Sequence, residues 1–138
     1  MTELVIDCSV TMAWCFPDEA SDEADRALNV LTDGEAHVPE LWALEVANVV
    51  AIGERRGRLT ADDSTKFLDS LNALPIVVDR ETSDRAFGSI LLLARAHQIT
   101  AYDAAYLELS IRRSLPLATL DDRLKAVAGG LGIELFAP

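Results

Sequence analysis

Five short, partly β-branched apolar runs alternate along this chain with stretches of helical periodicity. Alternating strand and helix patterns are typical of a parallel sheet covered by helices, and 138 residues are enough to build one such domain. The sequence therefore predicts one α/β domain over residues 1–138, with a central sheet of four to five mostly parallel strands. The predicted strands cover residues 4–8, 36–38, 75–78, 116–120 and 133–136.

Helical signals fill most of the segments between these runs. Apolar residues recur at helical spacing, the first turns carry acids or a capping threonine, and glycine follows several ends. The segment SVTMAWCF, after the first run, is instead expected to form a loose turn. The predicted helices are Asp18–Leu31, Leu41–Ile52, Thr60–Leu71, Thr82–Ala96, Ala101–Arg113 and Asp122–Val127, the last being stopped by Gly129, Gly130 and Gly132.

Four acidic residues occupy positions where a buried element normally carries an apolar side chain. Asp7 ends the run LVID, and Glu45 interrupts LWALEVANVVAI. Asp103 lies within ITAYDAAYLEL, and Asp121 follows LPLATL. Ligands of open parallel sheets gather outside the carboxyl ends of the strands, which is where Asp7 and Asp121 are predicted to lie.

Carboxylates that are brought together repel one another, and their pKa values rise unless a cation compensates the charge. Mg²⁺ and Mn²⁺ prefer oxygen ligands and retain waters, and such ions promote phosphodiester hydrolysis. The acids therefore predict a nuclease-type metal site. Asn48, one helical turn after Glu45, is placed to orient that carboxylate or a metal-bound water. His37 and His97 are not placed for a zinc site.

Several of these acidic and polar residues also have a structural interpretation. Acids in apolar segments serve as caps or in paired buried charges, and Asp121 is well placed to cap the helix that begins at Asp122. Asp18 and Glu19 have a structural role as acids in the first turn of a predicted helix, and contact with a metal or substrate is an equally good interpretation of them. Ser9 follows a strand, where a hydroxyl either orients water or phosphate or caps the backbone.

Positive charge is scarce, since the formal net charge is -11. This charge argues against non-specific binding to DNA or to an anionic membrane. Two local clusters, Arg55, Arg56 and Arg58 and then Arg112 and Arg113, are candidates for contacts with RNA phosphates. Both clusters also lie at predicted helix C-termini, where arginine is favourable without any RNA.

The predicted helix Leu41–Ile52 is apolar on nearly every side, and a single domain rarely buries every face of such a helix. A partner protein is therefore expected on one face. No apolar run reaches the ~18 residues of a membrane span, and MTELVID lacks the pattern of a signal peptide. We expect a cytoplasmic protein in which Cys8 and Cys15 are unpaired.

The longer motifs resemble those of a known family. VIDCSV, VPELWALEVANVV, ITAYDAAYLELSIRRSLPLATLDDRL and LGIELF are similar, over nearly the whole chain, to the PIN-domain ribonucleases and specifically to the VapC toxins of bacterial toxin-antitoxin pairs. The resemblance implies a PIN-like three-layer fold in which helices flank a central sheet.

The resemblance also assigns roles to residues of the acidic site. It implies that Asp7, Glu45 and Asp103 are catalytic metal ligands and that the acid matching Asp121 completes the site. Asp122 adjoins Asp121 and is an alternative fourth acid. Hydroxyl positions near the metal are matched by Ser9 and Thr119.

By resemblance, the chain is a Mg²⁺- or Mn²⁺-dependent endoribonuclease that cuts structured RNA such as tRNA or rRNA. A homodimer and a VapB-like antitoxin partner are implied as well. One alternative is a catalytically silent PIN-like module whose acidic groove binds a basic partner peptide. A metal-dependent phosphomonoesterase is the other, although the chain lacks a phosphate-cradling glycine-rich loop.

Overall fold

The computed structural model describes residues 1–136, in which four parallel strands form one sheet flanked by helices. The predicted α/β class with a central parallel sheet is confirmed. The predicted strand at residues 133–136 is wrong, because this segment contributes only an isolated parallel bridge between Leu135 and Leu117. The strands are β1 (Glu3–Ile6), β2 (Glu35–Pro39), β3 (Ile76–Asp79) and β4 (Leu117–Ala118), in the order β3-β2-β1-β4.

Strand β1 is the centre of the core. Leu4, Val5 and Ile6 are all 0% exposed, because neighbouring strands flank β1 and helices cover both faces of the sheet. A strand that is buried on both faces reads as a continuous apolar run rather than an alternating one. The chain therefore reaches the carboxyl edge of the sheet, at Asp7, directly from the middle of the core.

Eight α-helices cover the strands within the described residues. A π-helical segment, Ala86–Ile90, joins the fifth helix to the sixth. The helices are α1 (Cys8–Cys15), α2 (Asp22–Val30), α3 (Leu41–Arg55), α4 (Ala61–Asn72), α5 (Thr82–Arg85), α6 (Leu91–His97), α7 (Ala101–Arg113) and α8 (Asp122–Gly130).

Two predictions near the N-terminus are wrong. SVTMAWCF is not a loose turn, because the Asp7 carboxylate accepts a hydrogen bond from the backbone N–H of Val10 and caps α1. The single helix predicted over Asp18–Leu31 is divided: Pro17–Glu19 form one 3₁₀ turn, and α2 begins at Asp22. Ser21 starts α2 by accepting a hydrogen bond from the N–H of Ala24.

Glycines account for two further differences. The helix predicted over Thr82–Ala96 is interrupted at Gly88, whose φ and ψ are both -107°. Gly129 and Gly130, which were expected to stop α8, form its last turn, and the stop occurs at Gly132 with φ +76°. Glycine adopts a positive φ without the steric cost that a Cβ imposes.

The most deeply buried helix is α7 rather than α3. Residues 104–110 of α7 are all buried, and the helix packs against β1 and β2. In α3 the buried stripe is Trp42, Val46 and Val50, whereas Leu44 is 76% exposed. Helix α7 therefore carries its first turn, which includes Asp103, directly to the edge of the sheet. None of the helices in residues 1–136 has the length and apolarity needed to cross a membrane.

Candidate metal centre

Asp7 is the most deeply buried acid of the predicted site, with 6% of its surface exposed. Its Oδ1 accepts hydrogen bonds from the Ser9 hydroxyl at 2.6 Å and from the Val10 N–H at 3.2 Å. The Thr119 hydroxyl donates to Oδ2. Burial raises the pKa of Asp7 although these donors act to lower it, and repulsion from Asp103 raises it further. Hydrogen bonds therefore fix both carboxylate oxygens of Asp7, although burial makes its ionisation unfavourable.

The two predicted hydroxyl residues join the ends of β1 and β4. Besides donating to Asp7, the Ser9 hydroxyl accepts a 2.9 Å hydrogen bond from the Leu120 N–H. The Thr119 hydroxyl accepts a 3.1 Å bond from the N–H of Asp121. Asp121, on the loop after β4, is therefore held close to Asp7, which follows β1.

Glu45 reaches the same edge of the sheet from α3. Its Oε1 accepts a 2.5 Å hydrogen bond from the hydroxyl of Tyr106, which lies on α7 and is 1% exposed. Partial burial raises the pKa of Glu45, the Tyr106 bond opposes that rise, and the charges of Asp103 and Asp7 add to it. Tyr106 therefore fixes one oxygen of Glu45 and leaves the other for a ligand.

Asp103 stands in the first turn of α7, which Thr100 caps by accepting a hydrogen bond from the Asp103 N–H. Its carboxylate lines a cleft of about 110 Å³ together with Asp121 and Arg123. Burial raises the pKa of Asp103, and repulsion from Asp121 adds to the rise, whereas the positive charge of Arg123 lowers the pKa. Asp103 and Asp121 are therefore the two acids that line this cleft.

Asp121 caps α8, as its structural interpretation predicted. Its Oδ1 accepts hydrogen bonds from the N–H groups of Arg123 and Leu124 at 2.9 and 3.1 Å. A cap that uses Oδ1 leaves Oδ2 for a cation, so capping and ligation are compatible. Asp122 is exposed and lies outside the set of residues that line the cleft.

These four acids form one electrostatic unit, because the charge of Asp103 is felt by Asp7 and Glu45 and Asp103 itself is repelled by Asp121. No three of the four have ligand oxygens all within 4.8 Å of one another. That spacing suits an ion that keeps several waters and takes one or two carboxylates directly, as Mg²⁺ does. The donor set of carboxylate oxygens also fits Mg²⁺ or Mn²⁺.

Within residues 1–136, the ligand group that does fall within 4.8 Å is Glu3, Glu35 and His37. It lies at the amino edge of the sheet, four residues and about 13 Å from Asp7 along β1. His37 Nε2 is 3.0 Å from Glu3 and 3.4 Å from Glu35. Its buried Nδ1 has no partner, whereas a metal-bound histidine normally donates its second ring N–H. We interpret this group as hydrogen bonding that stabilises the strand ends.

Four other predicted residues of the described chain do not contact the four acids of the site. Asn48 is exposed, and within the described chain it makes no hydrogen bond to Glu45 or to the other acids. The Arg58 guanidinium pairs with Asp18 and Glu19, at 2.9 and 3.0 Å. These ion pairs connect the 3₁₀ turn, which carries Asp18 and Glu19, to the loop after α3, which carries Arg58.

The arginines that were candidates for RNA contact differ in their surroundings. Arg55, Arg56 and Arg113 are exposed. Arg112 is 16% exposed, and its guanidinium donates to the carboxylates of Asp79, Glu81 and Glu108. Because three acids already compensate its charge, Arg112 is the least available of the four to a phosphate.

Two residues of the site were not predicted from the sequence. Tyr106 is one of them, since sequence spacing does not reveal a hydrogen bond to a residue 61 positions away. Arg123 carried a usable signal: a cation in the first turn of a helix opposes the helix dipole, which suggests a role other than helix stability.

Comparison with known proteins gives consistent matches. Residues 4–130 match the model of the PIN domain family. Ribonuclease VapC3 from Pyrobaculum aerophilum is 36% identical over 126 residues, which cover 88% of this chain and 92% of that protein.

Solved structures give the same fold. The crystal structure of PAE2754 from Pyrobaculum aerophilum superimposes with a TM-score of 0.67 and 21% identity, covering 91% of this chain and 79% of that one. The structure of VapBC2 from Rickettsia felis, bound to a DNA fragment from its promoter, gives a TM-score of 0.68 and 10% identity, with 98% of each chain covered. At these identities the likeness shows the fold alone.

Proposed function

This chain belongs to the PIN-domain family, and we propose that it is a metal-dependent endoribonuclease, the toxin of a type II toxin-antitoxin pair. The observation that carries the proposal is the convergence of Asp7, Glu45, Asp103 and Asp121 at the carboxyl edge of the sheet. The identity to a protein named as a ribonuclease supports the same activity.

We propose Mg²⁺ or Mn²⁺ as the cofactor, held by Asp7, Glu45 and Asp103, with Asp121 completing the site. Bound there, the ion would polarise a phosphodiester and make a nearby water more acidic. Ser9 and Thr119 keep the Asp7 oxygens in a fixed orientation, and Tyr106 does the same for Glu45. The carboxylates left free of the ion can accept the proton of the attacking water.

The proposed substrate is structured RNA, with tRNA and rRNA as the first candidates. The four acids repel a phosphate backbone unless an ion compensates their charge, so RNA binding at this site requires the metal. Exposed Arg55, Arg56 and Arg113 would add phosphate contacts elsewhere on the surface. These RNAs are cytoplasmic, and we place the activity there.

We also propose a homodimer and a VapB-like antitoxin as partners. Structural neighbours include a toxin-antitoxin complex from Klebsiella pneumoniae, with a TM-score of 0.58. Large apolar side chains that stand in solvent support protein partners, among them Leu44 at 76% and Phe87 at 93% exposure. Sedimentation equilibrium at micromolar concentration tests the dimer, which a monomeric mass would contradict.

Cleavage of end-labelled RNA tests the activity. The protein, freed of antitoxin, is incubated with total tRNA or with rRNA in Mn²⁺, Mg²⁺ or EDTA, beside Asp7→Asn and the control Asp62→Asn, an exposed acid on α4. We expect discrete metal-dependent cuts by the wild type and by Asp62→Asn, and none by Asp7→Asn. Equal cleavage by Asp7→Asn would refute the assigned site. Intact tRNA and rRNA in all lanes would instead favour the silent binding module.

A further inference from the structure

Arg123 lies on the wall of the acidic cleft and carries a charge opposite to that of the two acids beside it. Its side chain lines the cleft of about 110 Å³ together with Asp103 and Asp121. Within residues 1–136 it forms no ion pair within 4 Å of either acid, unlike Arg58 and Arg112, whose charges are compensated by paired carboxylates.

The position of Arg123 is not explained by the stability of its own helix. It is the second residue of α8, and its backbone N–H donates to the capping carboxylate of Asp121. A cation in the first turn faces the positive end of the helix dipole, which is unfavourable for the helix. Helix formation alone would favour an acid or a neutral residue there.

The guanidinium of Arg123 is nevertheless held in one place. Its Nη2 donates a 2.6 Å hydrogen bond to the backbone carbonyl of Gln98. Gln98 ends α6 in the left-handed conformation, with φ +53° and ψ +44°, so that carbonyl has a defined direction. Most of the other guanidinium N–H groups remain for a ligand, because arginine has five of them in a planar fork.

We propose that Arg123 binds a phosphate of the RNA backbone next to the scissile bond, an inference that rests on the proposed function. The Arg123 guanidinium is fixed beside the acids and has unused N–H donors in one plane. It is therefore complementary to a backbone phosphate when the adjacent phosphate contacts the metal. The fork matches phosphate oxygens bidentately. Arg123 is thus a substrate-binding residue, and its contact with the RNA would add to the contact that the bound metal makes.

The proposal predicts opposite effects of Arg123→Ala on the two ligands. Mn²⁺ should bind equally well or more tightly, because a positive charge beside Asp103 is lost. The KM for RNA should rise on the order of tenfold, because a charge-assisted hydrogen bond is lost. The plot of log(kcat/KM) against log salt should become shallower by about 0.7–0.9, the slope of one phosphate contact.

Two further variants complete the experiment. Lys66→Ala removes one positive charge from α4, where Lys66 is 76% exposed and pairs with Asp62, and it should leave the KM, the salt slope and Mn²⁺ binding unchanged. Arg123→Lys keeps the charge without the planar fork, and it should restore the salt slope while only partly restoring KM.

The outcomes separate this inference from the proposed function. Wild-type cleavage is measured first, and its absence contradicts the ribonuclease assignment itself. If the wild type cleaves and Arg123→Ala has wild-type KM and salt slope, Arg123 is not a substrate contact and this inference alone is overturned. A variant that loses Mn²⁺ binding, or that melts well below the wild type, would show that Arg123 only maintains the wall of the cleft, which also overturns it.

Discussion

The Tyr106 hydroxyl donates a 2.5 Å hydrogen bond to Glu45 Oε1, which joins α7 to α3 at the acidic site. Tyr106 lies one helical turn after Asp103, so one buried residue links the two helices that carry Glu45 and Asp103. A metal centre assembled from separate helices depends on such contacts, since a displacement of about an ångström is enough to lose a ligand.

Tyr106→Phe should therefore weaken metal binding while the ligands themselves remain. Loss of the donor leaves a half-buried Glu45 oxygen unpaired and should lower the free energy of unfolding by about 1–2 kcal/mol. The Kd for Mn²⁺ should rise about 10- to 100-fold, as is typical when a residue that orients a metal ligand is changed. Calorimetric titration with Mn²⁺ measures the Kd, and urea denaturation measures the stability.

Tyr102→Phe is the matched control for that experiment. Tyr102 lies on the same helix and is 63% exposed, so removal of its hydroxyl should change neither quantity by more than about 0.5 kcal/mol. If Tyr106→Phe binds Mn²⁺ as the wild type does, Tyr106 has no part in positioning Glu45.

Asp103→Asn should stabilise the metal-free protein, by an amount that grows with pH. Asp103 has an ordinary pKa of 3.8 that is raised in the folded state, so the folded protein binds its proton more tightly than the unfolded chain. Stability from this group is present below pH 3.8 and is lost as pH rises through the raised pKa. The neutral amide avoids that loss.

Urea denaturation of both proteins in EDTA, between pH 3.5 and 7.5, measures this difference. The variant should match the wild type near the acid end and exceed it increasingly toward neutral pH. A difference that does not depend on pH would mean that repulsion among the acids does not limit the stability of the metal-free protein.

Mn²⁺ should raise the stability of the wild type, because it compensates the four carboxylates in the folded state only. At a free concentration of 100 times the Kd, the expected gain is about 2.7 kcal/mol. Thermal unfolding at increasing Mn²⁺ measures it. The gain should be absent from Asp7→Asn. A wild-type melting temperature that does not change with Mn²⁺ concentration would count against a metal site in the folded state.

Arg112→Ala should destabilise the protein strongly. The side chain of Arg112 pairs with Asp79, Glu108 and Glu81, and the first two are 8% and 5% exposed. The Arg112 guanidinium lowers the pKa of Asp79, so its removal leaves buried charges uncompensated at neutral pH, at a cost of about 3 kcal/mol.

The adjacent Arg113 gives the comparison for Arg112. It is exposed, so Arg113→Ala should change the free energy of unfolding by less than about 0.5 kcal/mol. Urea denaturation at pH 7 measures both variants. Equal stability of the two would show that the contacts of Arg112 do not contribute to the fold.

Local sequence patterns were sufficient for four of the five predicted strands and for singling out four acids that the structure brings near one another. The run LVID is apolar because β1 is buried on both faces, and the same burial makes Asp7 unusual. Asp103 was recognisable for a similar reason, since α7 is buried from Ala104 onward. Acids at the boundary of a core are a strong signal because ionised groups rarely lie there without a partner.

Features that depend on contacts between distant segments were not predictable. The helix α1 was missed because its cap is Asp7, which the pattern had already assigned to the end of a strand. The pairing of Arg112 with Asp79 joins residues 33 positions apart, and no periodicity reports it. Asn48 was placed by helical spacing alone, which gives the face of a helix but not the distance to a ligand.

Crystals grown with Mn²⁺, with anomalous differences recorded at a wavelength where manganese scatters anomalously, would locate the ion among the four acids. We expect an anomalous peak at the carboxyl edge of the sheet, bonded to at least one of Asp7, Glu45, Asp103 and Asp121, and absent from crystals of Asp7→Asn. A saturating Mn²⁺ soak that leaves these acids without a peak, or places the ion at Glu3, Glu35 and His37 instead, would contradict the proposed metal site.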